Sequence, residues 1–167
     1  MLKVTVLFLH TMTVPAMPED VYRVVADVPD SVAHFPDLAA LVPENGGYTW
    51  HFAPRTVAGF TMQTIYACQY HTDESTLSVS WTPITGVGNA TVSGYWTIEP
   101  ANPGTRLSID YKLVLDLDLP SLVRSIAEPI VIRENTELME RYLANLKTTF
   151  QGGNGRVHDQ GWPSSLK

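Results

Sequence analysis

Apolar and polar side chains alternate along much of the chain, and this two-residue period is typical of half-buried β-strands. The first such segment covers residues 2–14. Later segments are joined by short turns rich in Gly, Pro, Asn and Asp, and strands joined in this way pair in antiparallel order. The pattern therefore predicts a seven-stranded antiparallel sheet. Its last six strands are expected at residues 39–42, 48–52, 60–70, 76–82, 90–99 and 105–116.

Two short helices are predicted between the first strand and the rest of the sheet. Pro18 is followed by two acidic residues, a combination that is common in the first turn of a helix. The next four valines recur at three- and four-residue intervals, which places them on one helix face. A second helix starts at Pro29 and ends before Pro36. The spacing thus predicts helices over residues 18–27 and about 29–35.

The last regular element is a long helix, expected from residue 119 to about residue 149. Its apolar residues form two stripes, one in each half, that fall on roughly opposite sides of a straight helix. Pro129 lies within the first stripe, and a proline inside a helix removes a hydrogen bond and kinks or breaks it. We therefore expect a bend or break between residues 128 and 136, so that each half turns its own stripe toward the sheet.

Together these elements form one domain over residues 1–150, as expected for a chain of 167 residues. Residues 151–167 are polar, rich in Gly and without a hydrophobic period, so we expect a disordered tail that can be removed without loss of stability. No run reaches the roughly 18 apolar residues of a transmembrane segment. Thr5, His10 and Thr11 interrupt the apolar start of the chain, which favours a strand over a signal peptide and a cytoplasmic location.

Charge and cysteine content narrow the possible partners. The net charge is −6, and 11 Lys and Arg residues are spread thinly, so the sequence lacks the basic patch of a nucleic-acid-binding protein. Cys68 is the one cysteine, which excludes an intramolecular disulfide and a cysteine-based zinc site. The histidines are too scattered for a metal-ligand spacing, and we expect them on the surface. We therefore predict no metal and no cofactor. The histidines are His10, His34, His51, His71 and His158.

Four local motifs, taken in order, resemble the START-related superfamily called SRPBCC, which includes polyketide cyclases, lipid-transfer proteins and pollen allergens. They are the segments 14–27 (VPAMPEDVYRVVAD), 33–38 (AHFPDL), 104–107 (GTRL) and 143–146 (LANL). Within the superfamily the sequence is most similar to the carbon monoxide dehydrogenase G group. The resemblance implies an α+β helix-grip fold, in which a seven-stranded antiparallel sheet curves around a long, bent C-terminal helix. It also implies a pocket for a lipid, quinone, hormone or polyketide.

Large aromatic side chains recur at alternating strand positions, and each of them fits either a packed core or a pocket wall. Ligand pockets favour aromatic residues with a few polar atoms, whereas packed cores prefer Leu, Ile and Val. Gly94, next to an aromatic position, is expected to leave space on that face. We therefore predict a binding cavity between the sheet and the last helix. Its predicted wall is Trp50, Tyr66, Trp81, Trp96, Tyr111, Ile126, Ile130 and Leu138.

Three functions fit these predictions. The first is binding or transport of a small apolar ligand without catalysis. The second is a cyclase or aldolase-like activity on a polyketide-type substrate, for which His10, Tyr66 and Tyr111 are the candidate acid–base groups. The third is an accessory protein of an oxidoreductase, with a protein partner or a homodimer, which a large exposed apolar patch would favour. The shortage of inward-facing bases favours the first.

Overall fold

The fold is given by a computed structural model, which describes residues 2–152. These residues form the predicted strands and helices in the predicted order, with an additional two-stranded hairpin within residues 55–62 and a short 3-10 turn at Ser121–Val123 before the last helix. The helices are α1 (Pro18–Ala26), α2 (Val28–Val32) and α3 (Arg124–Gln151). The strands are β1 (Leu2–Val14), β2 (Leu38–Glu44), β3 (Gly47–Phe52), β4 (Arg55–Val57), β5 (Phe60–Met62), β6 (Ile65–Asp73), β7 (Ser78–Ile84), β8 (Ala90–Pro100) and β9 (Thr105–Leu117).

Seven of the strands form one antiparallel sheet in the order β1-β9-β8-β7-β6-β3-β2. The longest pair, β1 and β9, stays in register from Leu2 opposite Leu117 to Val14 opposite Thr105. Alternate residues of these strands are buried, because successive side chains point to opposite faces of a sheet, and β1 lies against α3. The predicted α+β fold, with its seven-stranded sheet, two short helices and long C-terminal helix, is confirmed.

Residues 60–70 do not form one strand, and the prediction there is wrong. The chain first makes a separate hairpin, β4–β5, whose turn residues Ala58 and Gly59 both have positive φ. It then joins the sheet as β6. The amide side chain of Asn89 causes the change of direction, since it accepts a hydrogen bond from Ile65 N at 2.9 Å and donates one to Gln63 O at 2.8 Å. These bonds satisfy the backbone where strand pairing stops.

The predicted break in the last helix is also wrong, because α3 is continuous for 28 residues through Pro129, whereas the predicted bend stays a prediction. Ser125, four residues earlier, is exposed like Pro129, so water can satisfy the carbonyl group that the proline leaves without a partner. The first half of α3 turns Ala127 and Val131 toward the sheet rather than Ile126. One buried stripe then follows the whole helix. It contains Ala127, Val131, Asn135, Leu138, Met139, Tyr142, Leu143, Leu146 and Phe150.

Gln151 is the last residue of α3, so the helix extends one residue into the segment predicted as a tail. The prediction of disorder for the rest of that tail falls mainly on residues 153–167, which lie outside the described part of the chain. Within residues 2–152, no helix is both long and apolar enough to cross a membrane.

Candidate functional site

The concave face of the sheet carries a continuous row of aromatic rings. Trp50 on β3 lies directly opposite Tyr66 on β6, and their rings stack with centroids 5.6 Å apart. Trp81 on β7 and Trp96 on β8 meet edge to face at 6.4 Å. Tyr111 on β9 continues the row. The alternation of the strands therefore brings together the five aromatic residues that the sequence predicted for the cavity wall.

Side chains from the helices close over this row. Phe35, just after α2, stacks on Tyr142 of α3 with ring centroids 3.8 Å apart, and its edge meets Trp50 at 5.5 Å. Little space is left under these rings, about 40 Å³. We call it the inner chamber. Its aromatic wall consists of Phe35, Trp50, Tyr66, Tyr70, Trp81, Trp96, Tyr111 and Tyr142.

A larger space lies beside the inner chamber and has a volume of about 390 Å³. It is bounded by the end of β3, the start of β6 and the middle of β9, by the start of the β4–β5 hairpin and by the middle of α3. We call it the outer chamber. Phe35, Tyr66, Tyr111 and Met139 line both chambers. The other residues of the outer chamber are Asp37, Phe52, Ala53, Pro54, Arg55, Thr64, Leu113, Glu134, Asn135, Glu137, Leu138 and Arg141.

Charged side chains surround the mouth of the outer chamber. Arg55 of the hairpin forms an ion pair with Glu134 of α3, with 3.0 Å between Nη1 and Oε2. Arg141 of α3 lies 3.7 Å from Asp37, which follows α2. Both arginines are therefore engaged by carboxylates, and the two ion pairs connect α3 to the elements on either side of the mouth.

One polar side chain lies deep in the outer chamber. Asn135 is 6% exposed, and its Oδ1 accepts no hydrogen bond from any described residue. Its side chain interacts with the hydroxyl group of Tyr111. The sequence analysis missed Asn135, because it lies in the polar stretch 133–137, within the segment predicted to bend. The four-residue spacing of Val131, Asn135 and Met139 could have placed it on the buried face.

The buried hydroxyl and thiol groups are neutral at ordinary pH. Burial raises the pKa of Tyr66, Tyr111 and Tyr142 well above the usual range of a phenol. It also raises the pKa of the Cys68 thiol to about 12. These phenols can donate hydrogen bonds, but they cannot serve as bases without a large shift in pKa. Cys68 is not a thiolate nucleophile for the same reason.

His34 is buried, which corrects the prediction that the histidines lie on the surface. Its Nδ1 lies 3.0 Å from Ser31 O and its Nε2 lies 2.9 Å from Thr149 Oγ1. Burial lowers its pKa, although Asp30 and the backbone oppose the shift. Ser31 is hydrogen-bonded through Oγ to Tyr142 Oη. This network attaches α2 to α3 behind the inner chamber.

The remaining predicted site residues lie in different places. Leu138 lines the outer chamber, Ile130 is half-buried against the core outside both chambers, and Ile126 is 57% exposed. The prediction for Ile126 is wrong because the first half of α3 presents Ala127 and Val131 to the sheet instead. His10 is exposed on edge strand β1. Among residues 2–152, no three His, Cys, Asp or Glu side chains are placed to hold a metal ion.

Gly94 also differs from its prediction. It lies on β8 opposite Trp81 and Tyr111, and the Trp81 ring occupies the space above it. A Cβ atom at Gly94 would lie 2.2 Å from Asp110 O and 2.6 Å from the Trp81 ring. Gly94 therefore permits close packing rather than leaving space for a ligand.

Comparison with known proteins identifies one family for this sequence. Residues 5–151 match the family described as polyketide cyclase/dehydrase and lipid transport. No curated protein sequence matches the chain significantly. Nothing in these comparisons supports the closer resemblance to the carbon monoxide dehydrogenase G group, which stays a prediction.

Several solved structures share the fold. A protein of Thermus thermophilus is 19% identical, with a TM-score of 0.61, over 89% of this chain and 97% of its own. A START superfamily protein from Mycobacterium smegmatis is 16% identical, with a TM-score of 0.59, over 87% of this chain and 97% of its own. The Zhui aromatase/cyclase from Streptomyces sp. R1128 is 19% identical, with a TM-score of 0.55, over 93% of this chain and 97% of its own.

Proposed function

Because the chain belongs to the polyketide cyclase/dehydrase and lipid transport family, we propose that it binds a small apolar ligand in the outer chamber and holds it without catalysing a reaction. The ligand class is a lipid, a quinone or a polyketide-like molecule. The apolar body of the ligand lies on the rings of Tyr66 and Tyr111 and under Leu138 and Met139 of α3. Its polar end faces the charged mouth.

The observation that carries this proposal is the size and wall of the outer chamber. A volume of about 390 Å³ lies within the range of small-molecule sites. Part of its wall is aromatic and aliphatic, and burial of apolar surface there contributes about 25 cal/mol for each Å² removed from water. The inner chamber, at about 40 Å³, holds no molecule of this size. Binding in the outer chamber therefore needs no movement of the aromatic row.

The chemistry of the wall supports binding over catalysis. A general base must have a pKa near the working pH and must reach the substrate. Tyr66 and Tyr111 are neutral phenols that favour hydrogen bonding, and burial keeps them so. No histidine lines either described chamber. Glu134 is engaged by Arg55 at the mouth, away from the apolar floor.

An accessory role is a second candidate, because several large apolar side chains near the start of α3 face solvent. Leu122 before α3 is 92% exposed, and Ile126 and Ile132 on the outer side of α3 are 57% and 38% exposed. Exposed apolar patches mark interaction sites when they are contiguous. Loss of partner binding with an intact ligand site in a Leu122→Ser variant would favour this role.

The experiment for the leading proposal uses prodan, a naphthalene fluorophore whose emission shifts in an apolar site. We expect the wild-type protein to bind prodan and to shift its emission to shorter wavelength. Replacement of Leu138 by Trp should fill the outer chamber and weaken binding at least about tenfold, since the added ring occupies the volume of the ligand.

Ile126→Trp is the matched control, because it adds the same ring to the exposed side of the same helix. This variant should bind prodan like the wild-type protein. Equal binding by Leu138→Trp and the wild type would place the probe elsewhere and contradict the proposal. The absence of any emission shift in the wild-type protein would also contradict it.

A further inference from the structure

Asn135 differs from the buried Ser, Thr and His side chains of residues 2–152. Ser31 is bonded to Tyr142, His34 to Thr149, Thr49 to Glu44, and Thr105 to the backbone oxygen of Ala16. Asn135 Oδ1 accepts no hydrogen bond from a described residue, although its side chain is 6% exposed.

An acceptor in this position is costly to the fold. A buried polar group without a partner destabilises a protein by about 1–3 kcal/mol. The neighbours of Asn135 on the buried stripe are Val131, Leu138 and Met139, so a leucine would suit the packing of this face of α3 better. The Asn135 side chain does interact with the Tyr111 hydroxyl, but this contact leaves Oδ1 without a donor, and the packing of this helix face does not account for that acceptor.

A hydrogen-bond donor for Asn135 Oδ1 can reach it from the outer chamber. Asn135 lines it between the Tyr111 ring on the floor and Leu138 on the roof. The amide oxygen is an acceptor only, so the group that completes it must carry hydrogen. A carboxylate or phosphate oxygen cannot do so, and the two arginines at the mouth are already engaged by carboxylates at 3.0 and 3.7 Å. Among the lipid, quinone and polyketide-like ligands proposed above, the uncharged group that carries such a hydrogen is a hydroxyl.

We propose that Asn135 determines the specificity of the outer chamber, by accepting a hydrogen bond through Oδ1 from a hydroxyl group on an otherwise apolar, neutral ligand. This inference rests on the proposed binding function. It adds that the ligand is hydroxylated at the point where it passes Tyr111, and that an analogue without the hydrogen-bond donor binds more weakly.

The test compares two molecules with one skeleton. 2-Naphthol carries the donor, whereas 2-methoxynaphthalene keeps the oxygen but cannot donate. Each is titrated as a competitor of prodan, which itself has no hydrogen-bond donor. The wild-type protein should bind 2-naphthol about tenfold more tightly, the factor that corresponds to one buried hydrogen bond.

Asn135→Leu should abolish this preference, because both competitors then meet the same apolar wall. The variant also removes the partner of the Tyr111 hydroxyl, so its melting temperature is measured only to show that it folds. Asn145→Leu is the matched control on the same helix. The Asn145 amide donates to His34 O at 2.9 Å and lies outside both chambers, so its loss should lower the melting temperature and leave the tenfold preference intact.

Two results would overturn the assignment of Asn135: equal binding of the two competitors to the wild type, and a preference that survives in Asn135→Leu. The first would assign Oδ1 to bound solvent, and it does not depend on the folding of any variant. If neither competitor displaces prodan because prodan itself does not bind, the proposed function fails as well.

Discussion

The inner and outer chambers lie side by side between the same sheet and the same helix, yet one is filled and the other is open. In the inner chamber the rings of Phe35 and Tyr142 stack at 3.8 Å, and about 40 Å³ remains. In the outer chamber α3 presents Asn135 and Glu134 instead of rings, and about 390 Å³ remains. Aromatic enrichment therefore marks the wall of a site but does not measure its space. The space lies where the aromatic row ends and the β4–β5 hairpin leaves the sheet.

The largest effect on stability is expected from a substitution of Gly94, which tests whether the inner chamber is tightly packed. In Gly94→Ala the new Cβ would lie 2.2 Å from Asp110 O and 2.6 Å from the Trp81 ring, so the strands or the ring must move. We expect a loss of at least about 3 kcal/mol in the free energy of unfolding, measured in urea. This corresponds to roughly 6–12 °C in melting temperature.

Gly86→Ala is the control for the loss of a glycine. Gly86 has φ +84° and no neighbour within 4 Å of the added atom, so this change costs only backbone strain, about 1 kcal/mol. If Gly94→Ala lowered the free energy of unfolding as little as Gly86→Ala, the strands and the Trp81 ring would have room to move. The contrast between the two chambers would then disappear.

A smaller effect is expected from pH, and it tests how the wall of the inner chamber is attached. His34 has a lowered pKa because it is buried, so the folded protein binds its proton more weakly than the unfolded chain. Its contribution to stability is complete above the ordinary histidine pKa of 6.5 and is lost as the pH falls through the folded pKa. Between about pH 7 and pH 5, the wild type should lose more stability than His34→Gln, as measured by urea unfolding.

His71→Gln is the control for the loss of an imidazole, because His71 is exposed and lies outside the network of His34, Ser31 and Thr149. Other groups that titrate in this range act equally in all three proteins, so the difference isolates His34. An identical pH dependence in the wild type and His34→Gln would show that the network behind the inner chamber does not depend on a neutral histidine.

The smallest effect is expected at the mouth of the outer chamber. Arg55 and Glu134 form an ion pair at 3.0 Å, but both side chains are about 30% exposed, so water and salt screen it. A double-mutant cycle with Arg55→Gln and Glu134→Gln should give a coupling energy of about 0.5 kcal/mol, which decreases as salt is added. A coupling above about 2 kcal/mol that does not depend on salt would show that the outer chamber is closed as firmly as the inner one.

The sequence by itself determined most of the fold. Alternating side chains define which face of a strand is apolar, and this placed Trp50, Trp81, Trp96 and Tyr111 on one wall, whereas the sequence left open which face of residues 60–70, with Tyr66, points inward. The valine spacing of the first helix and the turns between strands were equally local signals. Each of these features depends on neighbours within a few residues, so a single sequence is sufficient to predict it.

Only the tertiary structure decided the rest, because it depends on contacts between residues far apart in the chain. Asn89 separates the β4–β5 hairpin from β6 across 24 to 26 residues. The orientation of α3 buries Ala127 and exposes Ile126, although Ile126 is the more apolar residue. The same orientation places Asn135 over Tyr111 and leaves its oxygen without a donor. Local hydrophobic patterns do not predict which side chains of a helix are buried. That is decided when the helix packs on the sheet and the total buried surface is optimised.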